Sequence, residues 1–191
     1  MSNGSETATV LVVDDEEQVA DVYALRLRGE YETRTAYGGE AALEAYDEDV
    51  DVVLLDRRMP DLAGDEVLTR LREMGADVRV IMLTAVDPDF DILEMPFDDY
   101  LCKPVEKEDL IAAISQQVRA GRYDDRLSEY LEVTSKLSLL EAEKTPQELQ
   151  DNAQVQALSD RAATLKEEMD ELLDELDDIE TAFMEISRDP S

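Results

Sequence analysis

An α/β fold with a doubly wound parallel sheet, followed by an all-helical segment, is the architecture this sequence predicts. Three observations point to it. From Thr9 to Gly121 five short apolar runs alternate with stretches of helical pattern. The runs are apolar at consecutive positions, as in Val52-Val53-Leu54-Leu55. That implies burial on both faces, hence a parallel sheet with helices on each side. After Gly121 strand patterns stop, and apolar residues recur at steps of three and four.

The five predicted strands are Ala8 to Val13, Tyr31 to Tyr37, Val50 to Leu55, Val78 to Leu83 and Phe97 to Cys102. Each is short and rich in Val, Leu, Ile or Tyr. The helices after them are Glu17 to Arg28, Glu40 to Tyr46, Glu66 to Met74, a short Asp89 to Met95, and Glu106 to Ala120. A further helix, Arg122 to Glu143, carries Leu127, Tyr130, Leu131, Leu137 and Leu140. Thr145-Pro146-Gln147-Glu148 is a capping box with proline in the first helical position, so a long second helix starts there and runs to Ser187. Its seam is Val155, Leu158, Ala162, Leu165, Met169, Leu172, Leu176, Ile179, Phe183 and Ile186, a heptad pattern. The chain thus reads as two modules, residues 1–121 and 122–191.

At 1.5 Å per residue the first of these helices is roughly 33 Å long and the second roughly 63 Å. A hairpin closed near Thr145 therefore covers only the near part of the second helix. Met169, Leu172, Leu173, Leu176, Ile179, Phe183 and Ile186 are left to meet the first module or a second chain. A parallel in-register pair of chains would set Arg161 near Lys166 and Glu175 near Glu180, like against like. An antiparallel hairpin is expected, with any homodimer antiparallel or staggered.

Charge excludes whole classes of function. The chain has 49 acidic and 18 basic residues, a net charge of -31, and the acids are spread along its length. Residues 121–191 alone hold 20 acidic against 7 basic residues, with no basic stripe, so direct nucleic-acid binding is not expected. The composition resembles that of proteins from salt-loving archaea, where salt screens self-repulsion. The thermal midpoint should accordingly rise between 0.1 M and 1 M salt, as the Debye length falls from about 10 Å to about 3 Å. A flat midpoint in a salt series would refute that reading. The single Cys102 rules out an internal disulfide, no apolar stretch has the length of a membrane helix, and no signal-like segment opens the chain. A cytoplasmic protein is expected.

The strand ends carry the chemistry. Asp14-Asp15 follows the first strand, Asp56 the third, Thr84 the fourth and Lys103 the fifth. A doubly wound sheet forms its sites at the carboxyl ends of its strands, so three carboxylates meet at one mouth. Three such charges repel unless a cation joins them. An all-oxygen set with few protein ligands suits Mg²⁺, which reaches phosphate oxygens as well. A carboxylate beside it can act as a phosphoryl acceptor, with Lys103 and Thr84 holding the other phosphoryl oxygens. Singly, each residue has a plainer role: Asp14-Asp15 as a helix cap, Asp56 in a turn, Thr84 at a strand end, Lys103 in solvent. The ordered set favours the chemistry.

Four segments, LVVDDEE, LLDRRMPDLAG, VIMLTA and DDYLCKP, resemble in order the signature blocks of response-regulator receiver domains. The resemblance covers about residues 8 to 120 and implies a flavodoxin-like five-stranded sheet. It implies that Asp56 accepts a phosphoryl group, and that Asp14, Asp15, Asp56 and the backbone carbonyl of Arg58 hold Mg²⁺. It also implies that Lys103 and Thr84 contact the phosphoryl group, that Thr84 and Tyr100 form a switch pair, and that Lys103-Pro104 is cis. The segment between Thr84 and Lys103, with Pro88 and Pro96, looks shorter than in most receivers, so a stunted fourth helix is expected. Arg57 and Arg58 suit either an ion pair with Asp61 or Asp65, or a role in steering a phosphorylated partner. The helical half resembles the HalX domain found after receivers in halophilic archaea, through Arg122-Tyr123-Asp124, Tyr130-Leu131, the TSKL segment and the acidic second helix.

The resemblance implies a two-component phosphorelay protein, a signalling phosphoacceptor with at most self-phosphorylation and self-dephosphorylation activity. Its partners would be a sensor histidine kinase and a downstream protein. The chain has no histidine, so the donor imidazole lies on another protein. Two rivals are an Mg²⁺-dependent aspartyl-phosphate phosphohydrolase, for which no second acid or cap segment follows Asp56, and an unphosphorylated receiver scaffold, against which the intact set of site residues argues.

Overall fold

The computed structural model describes residues 7–85 and 89–185, with side chains as far as residue 175. Five parallel strands, β1 (Thr9–Val13), β2 (Glu32–Ala36), β3 (Val52–Asp56), β4 (Arg79–Thr84) and β5 (Asp99–Cys102), lie in the order β2-β1-β3-β4-β5. Side-chain alternation along the strands divides the core in two. Leu11, Val13, Val53, Leu55, Val80 and Met82 face one way, onto α2 (Gly39–Ala45) and α3 (Gly64–Glu73). Val10, Val12, Val52, Leu54, Ile81 and Leu83 face the other, onto α1 (Glu17–Leu27) and the start of α4 (Lys107–Glu143), with Leu110 and Ile114 fully buried. Every residue of β3 is buried, as its unbroken apolar run requires. The edge strand β2, ETRTA, is correspondingly polar.

Because β2 and β3 lie on opposite sides of β1, the chain reverses its winding at the β1/β3 boundary. A crevice opens there at the carboxyl ends of the strands. Asp14 and Asp56 stand on its two sides. One glycine is needed to build this end of the sheet: a Cβ on Gly64 would lie 2.3 Å from the backbone oxygen of Asp56. The start of α3 can press against the end of β3 only without a side chain at that position.

The stunted helix expected between β4 and β5 is a single 3-10 segment, Phe90–Glu94, capped by Asp89; Pro88 lies outside the described residues. Two helical expectations are corrected. No break occurs at Gly121: α4 continues from Lys107 to Glu143. One glycine costs roughly 1 kcal/mol against alanine, too little to end a helix with good helix formers on both sides. The helix begun by the capping box at Thr145 is only α5 (Pro146–Gln150), and α6 (Ala153–Glu185) starts anew. Asn152 makes that break, its side-chain oxygen accepting from the backbone N–H groups of Gln154 and Val155.

The chain divides into two compact units, one up to Val118 and one from Arg119 to Thr181. Within the second, α4 and α6 form the expected antiparallel hairpin. Arg161 grips Glu129 with two donors at 2.7 and 2.8 Å, Arg126 meets Glu168 at 2.6 Å and Arg119 meets Glu175 at 3.3 Å. Partners step back along α4 as they step forward along α6, which fixes the direction. These half-exposed pairs are each worth about 0–1 kcal/mol, so they mark register more than they stabilise. Burial of Val133, Val155 and Leu165 supplies the core. The pairing reaches Glu175, farther along α6 than the near part expected, because α4 is longer than foreseen. Met169 and Leu172 are half-buried, whereas Leu131 is exposed and lies off the seam. The side chains of Leu176, Ile179, Glu180, Phe183 and Ile186 lie outside the described residues.

Candidate functional site

Four strand ends converge on one mouth. Asp14 follows β1 and is 2% exposed, Asp15 beside it faces solvent, and Asp56 closes β3 at 6% exposed. One oxygen from each of the three carboxylates lies within 4.8 Å of the others. Lys103 reaches in from the end of β5, its Nζ donating to Asp14 Oδ2 at 2.6 Å and to Asp56 Oδ1 at 2.9 Å. The ammonium thus bridges the two buried carboxylates. The Lys103-Pro104 bond is cis, as the resemblance implied, and the Lys103 N–H donates to the Thr84 carbonyl at 2.6 Å. Thr84 is buried at the end of β4, next in line after Leu83, the register partner of Asp56.

The plain role of Asp14 proves to be compatible with the chemical one. Its Oδ1 accepts from the Glu16 N–H at 3.0 Å at the start of α1, while Oδ2 faces Lys103. Burial raises the pKa of Asp56, and the charges of Asp14 and Asp15 push the same way, against the Lys103 hydrogen bond. For Lys103, burial lowers the pKa, but hydrogen bonds to Asp14 and Asp56 outweigh it, and the net direction is upward. Buried acids of one sign held together by a single cation are a site strained toward accepting more positive charge. The donors are all oxygens, which suits a hard divalent ion such as Mg²⁺.

The residues after Asp56 divide in their roles. Arg58 is exposed, with Arg57, Asp65, Asp89 and Asp91 along a groove of about 680 Å³. Arg57 turns inward and forks onto Asp65, Nε to Oδ1 at 3.1 Å and Nη2 to Oδ2 at 3.2 Å. Nη2 also pairs with Asp91 of the 3-10 segment, and Nη1 donates to the Tyr100 hydroxyl at 3.4 Å. The hydrogen bond to Asp65 is the main reason that the Arg57 pKa is pushed still higher. Of the two expected partners Asp65 is the one used. Asp61 instead accepts from the Gly39 and Glu40 N–H groups at the start of α2. Tyr100 is 8% exposed, its ring centroid 5.5 Å from that of Phe97. The Arg57-Tyr100 contact joins residues 43 positions apart and has no signal in the sequence.

The model of the response regulator receiver domain matches residues 10–115. The chain belongs to that family. Residues 119–184 match the HalX domain. A Haloferax volcanii protein named as a transcriptional regulator is 44% identical over 82% of this chain and 26% of its own length. The sensory transduction protein RegX3 of Mycobacterium tuberculosis is 42% identical over 61% of this receiver chain and 53% of its own length. The chain thus spans about a quarter to a half of these curated relatives. Among solved structures, the response regulator TrrA of Thermotoga maritima, in complex with Mg²⁺-BeF, is 31% identical with a TM-score of 0.51, covering 58% of this chain and 98% of its own. The likeness confirms the receiver fold. Among the described residues no helix is long and apolar enough to cross a membrane.

Proposed function

We propose that this receiver takes a phosphoryl group from a phosphohistidine of a partner sensor kinase onto Asp56, in a reaction dependent on Mg²⁺, and that the transfer switches contacts with a downstream protein. The observation that carries the reading is the convergence of Asp14, Asp15 and Asp56 at 4.8 Å or less, with Lys103 bonded to two of them. Asp14, Asp15, Asp56 and the Arg58 carbonyl would hold Mg²⁺, which neutralises charge on the transferring phosphoryl oxygens when bound.

The protein's own groups do the rest. An Asp56 carboxylate oxygen attacks phosphorus, the P–N bond of the donor breaks, and its electron pair returns to the imidazole nitrogen. The product is an acyl phosphate on Asp56. Lys103 leaves its carboxylate contact to bind a phosphoryl oxygen, and the Thr84 hydroxyl binds another. Phosphorylation adds about -1.5 to -2 charges at the mouth. The Thr84-Tyr100 pair responds to that charge as the switch. Receiver and helical module divide near residues 121/122, within α4; the compact units change three residues earlier, between Val118 and Arg119. The helical module serves protein contacts, its acidity arguing against nucleic acid, and the setting is cytoplasmic.

Labelling with acetyl phosphate, with Mg²⁺ and in chelator, tests this. The chain should gain a hydroxylamine-labile phosphoryl group only with Mg²⁺. Equal labelling in chelator, or none in either, would sink the reading.

A further inference from the structure

We propose that Arg57 is a positioning residue that latches Tyr100 in its buried place, and so sets how readily the receiver takes up a phosphoryl group. The inference rests on the phosphoacceptor reading above and deepens it.

Arg57 is held from several directions. Its backbone is fixed on both sides: its N–H donates to the Leu83 carbonyl at 2.9 Å, and its carbonyl accepts from the Gly64 N–H at 2.9 Å. The first contact ties it to β4, the second to the start of α3. The side chain is 14% exposed and its planar fork is set by Asp65. A guanidinium so oriented cannot turn freely, and Asp91 fixes its outer edge. The remaining donor, Nη1, points at the Tyr100 hydroxyl at 3.4 Å. A phenol in an apolar pocket must find a partner for its hydroxyl or leave. Arg57 supplies that partner next to the phosphoacceptor in sequence, while Phe97 packs against the ring.

This matters because Tyr100 is half of the proposed Thr84-Tyr100 switch: if a bound phosphoryl group favours the buried ring, a residue that holds the ring buried favours phosphoryl binding. A ligand that favours one state binds more weakly in proportion as that state is less populated. Removing the latch should therefore free the ring and weaken binding of a phosphoryl mimic. Asp65 and Asp91 also tie the latch to α3 and to the 3-10 segment, so both elements gain a physical link to Tyr100.

The test uses the full chain with 3-fluorotyrosine at position 100, followed by fluorine NMR with a soluble paramagnetic chelate and by titration with beryllofluoride in Mg²⁺. In the wild type the signal should be protected from the chelate without beryllofluoride. Arg57→Met should expose it and raise the half-saturating beryllofluoride concentration by roughly three- to ten-fold, the cost of depopulating the competent state. Arg57→Lys should recover part of both effects. Should Arg57→Met fail to fold, Asp65→Ala, which removes the carboxylate that sets the Arg57 fork, should show the same exposure and weakening. A protected signal and unchanged titration in Arg57→Met, or in Asp65→Ala where that variant replaces it, overturns the latch. If the wild type shows no beryllofluoride response that Asp56→Asn abolishes, the phosphoacceptor reading fails instead, and chelate protection alone still decides the latch.

Discussion

Replacing Asp56 with Asn should abolish phosphoryl labelling from acetyl phosphate without lowering the stability of the receiver. The amide keeps the shape of the carboxylate but has no nucleophilic oxygen anion, so no acyl phosphate forms. Stability goes the other way for an electrostatic reason. Burial, with Asp14 and Asp15 adding to it, raises the Asp56 pKa in the folded protein. A carboxyl group whose folded pKa is raised contributes stability that is fully present below its unfolded value, near about 3.9, and is lost as pH rises through the folded value. At neutral pH the ionised group therefore opposes folding, and the neutral amide removes that opposition. The wild type should lose stability relative to Asp56→Asn as pH climbs above about 4. Persistent labelling of the variant would place the acceptor elsewhere. A lower thermal midpoint for the variant at neutral pH in chelator would show that the Lys103 contact outweighs burial.

Lys103→Met should show the opposite pattern. The ammonium is the one cation bonded to both Asp14 and Asp56 among the described residues, and both carboxylates are buried. Removing one partner of a buried ion pair typically costs about 3–5 kcal/mol, because the charge left behind is uncompensated. For a domain of this size each kcal/mol moves the midpoint by about 4 °C, so a fall of roughly 10 °C or more is expected in chelator. Mg²⁺ should restore much of it, since a ligand bound only by the folded state stabilises in proportion to its occupancy. Wild type should gain less, because Lys103 already engages the oxygens that Mg²⁺ would use. A midpoint unchanged by the substitution, or one that Mg²⁺ leaves unmoved, would remove Lys103 from its place in the charge balance.

The range of each interaction decides how legible it was in the sequence. All five strands were legible, because unbroken apolar runs report burial on both faces. The meeting of Asp14, Asp15, Asp56 and Lys103 also was, because each sits at a strand end and a doubly wound sheet aligns those ends. Helix limits in the second module were not. Gly121 looked like a break but sits inside α4, where flanking helix formers outweigh it, and Asn152 looked unremarkable until its side chain capped α6. Asp61 was one of two acids offered as an arginine partner, yet it serves α2 across 21 to 22 positions. The Arg57 fork onto Asp91 and Tyr100 joins three elements through side-chain direction alone, which no local pattern encodes.

The way β4 and β5 are joined has a consequence for how such a protein can diversify. β4 and β5 are paired in register from Ile81 and Asp99 to Thr84 and Cys102, and the Lys103 N–H is bonded to the Thr84 carbonyl at 2.6 Å. Both ends of the connection are therefore pinned by the sheet, and its interior, here the 3-10 segment Phe90–Glu94, is not needed to bring Lys103 to Asp56. Insertions, deletions or whole exchanges in that interior can accumulate while the reacting groups keep their spacing. The sheet acts as a jig: the outward loop can change while the reacting groups keep their spacing, and only a change at Asp91 reaches Tyr100 through Arg57.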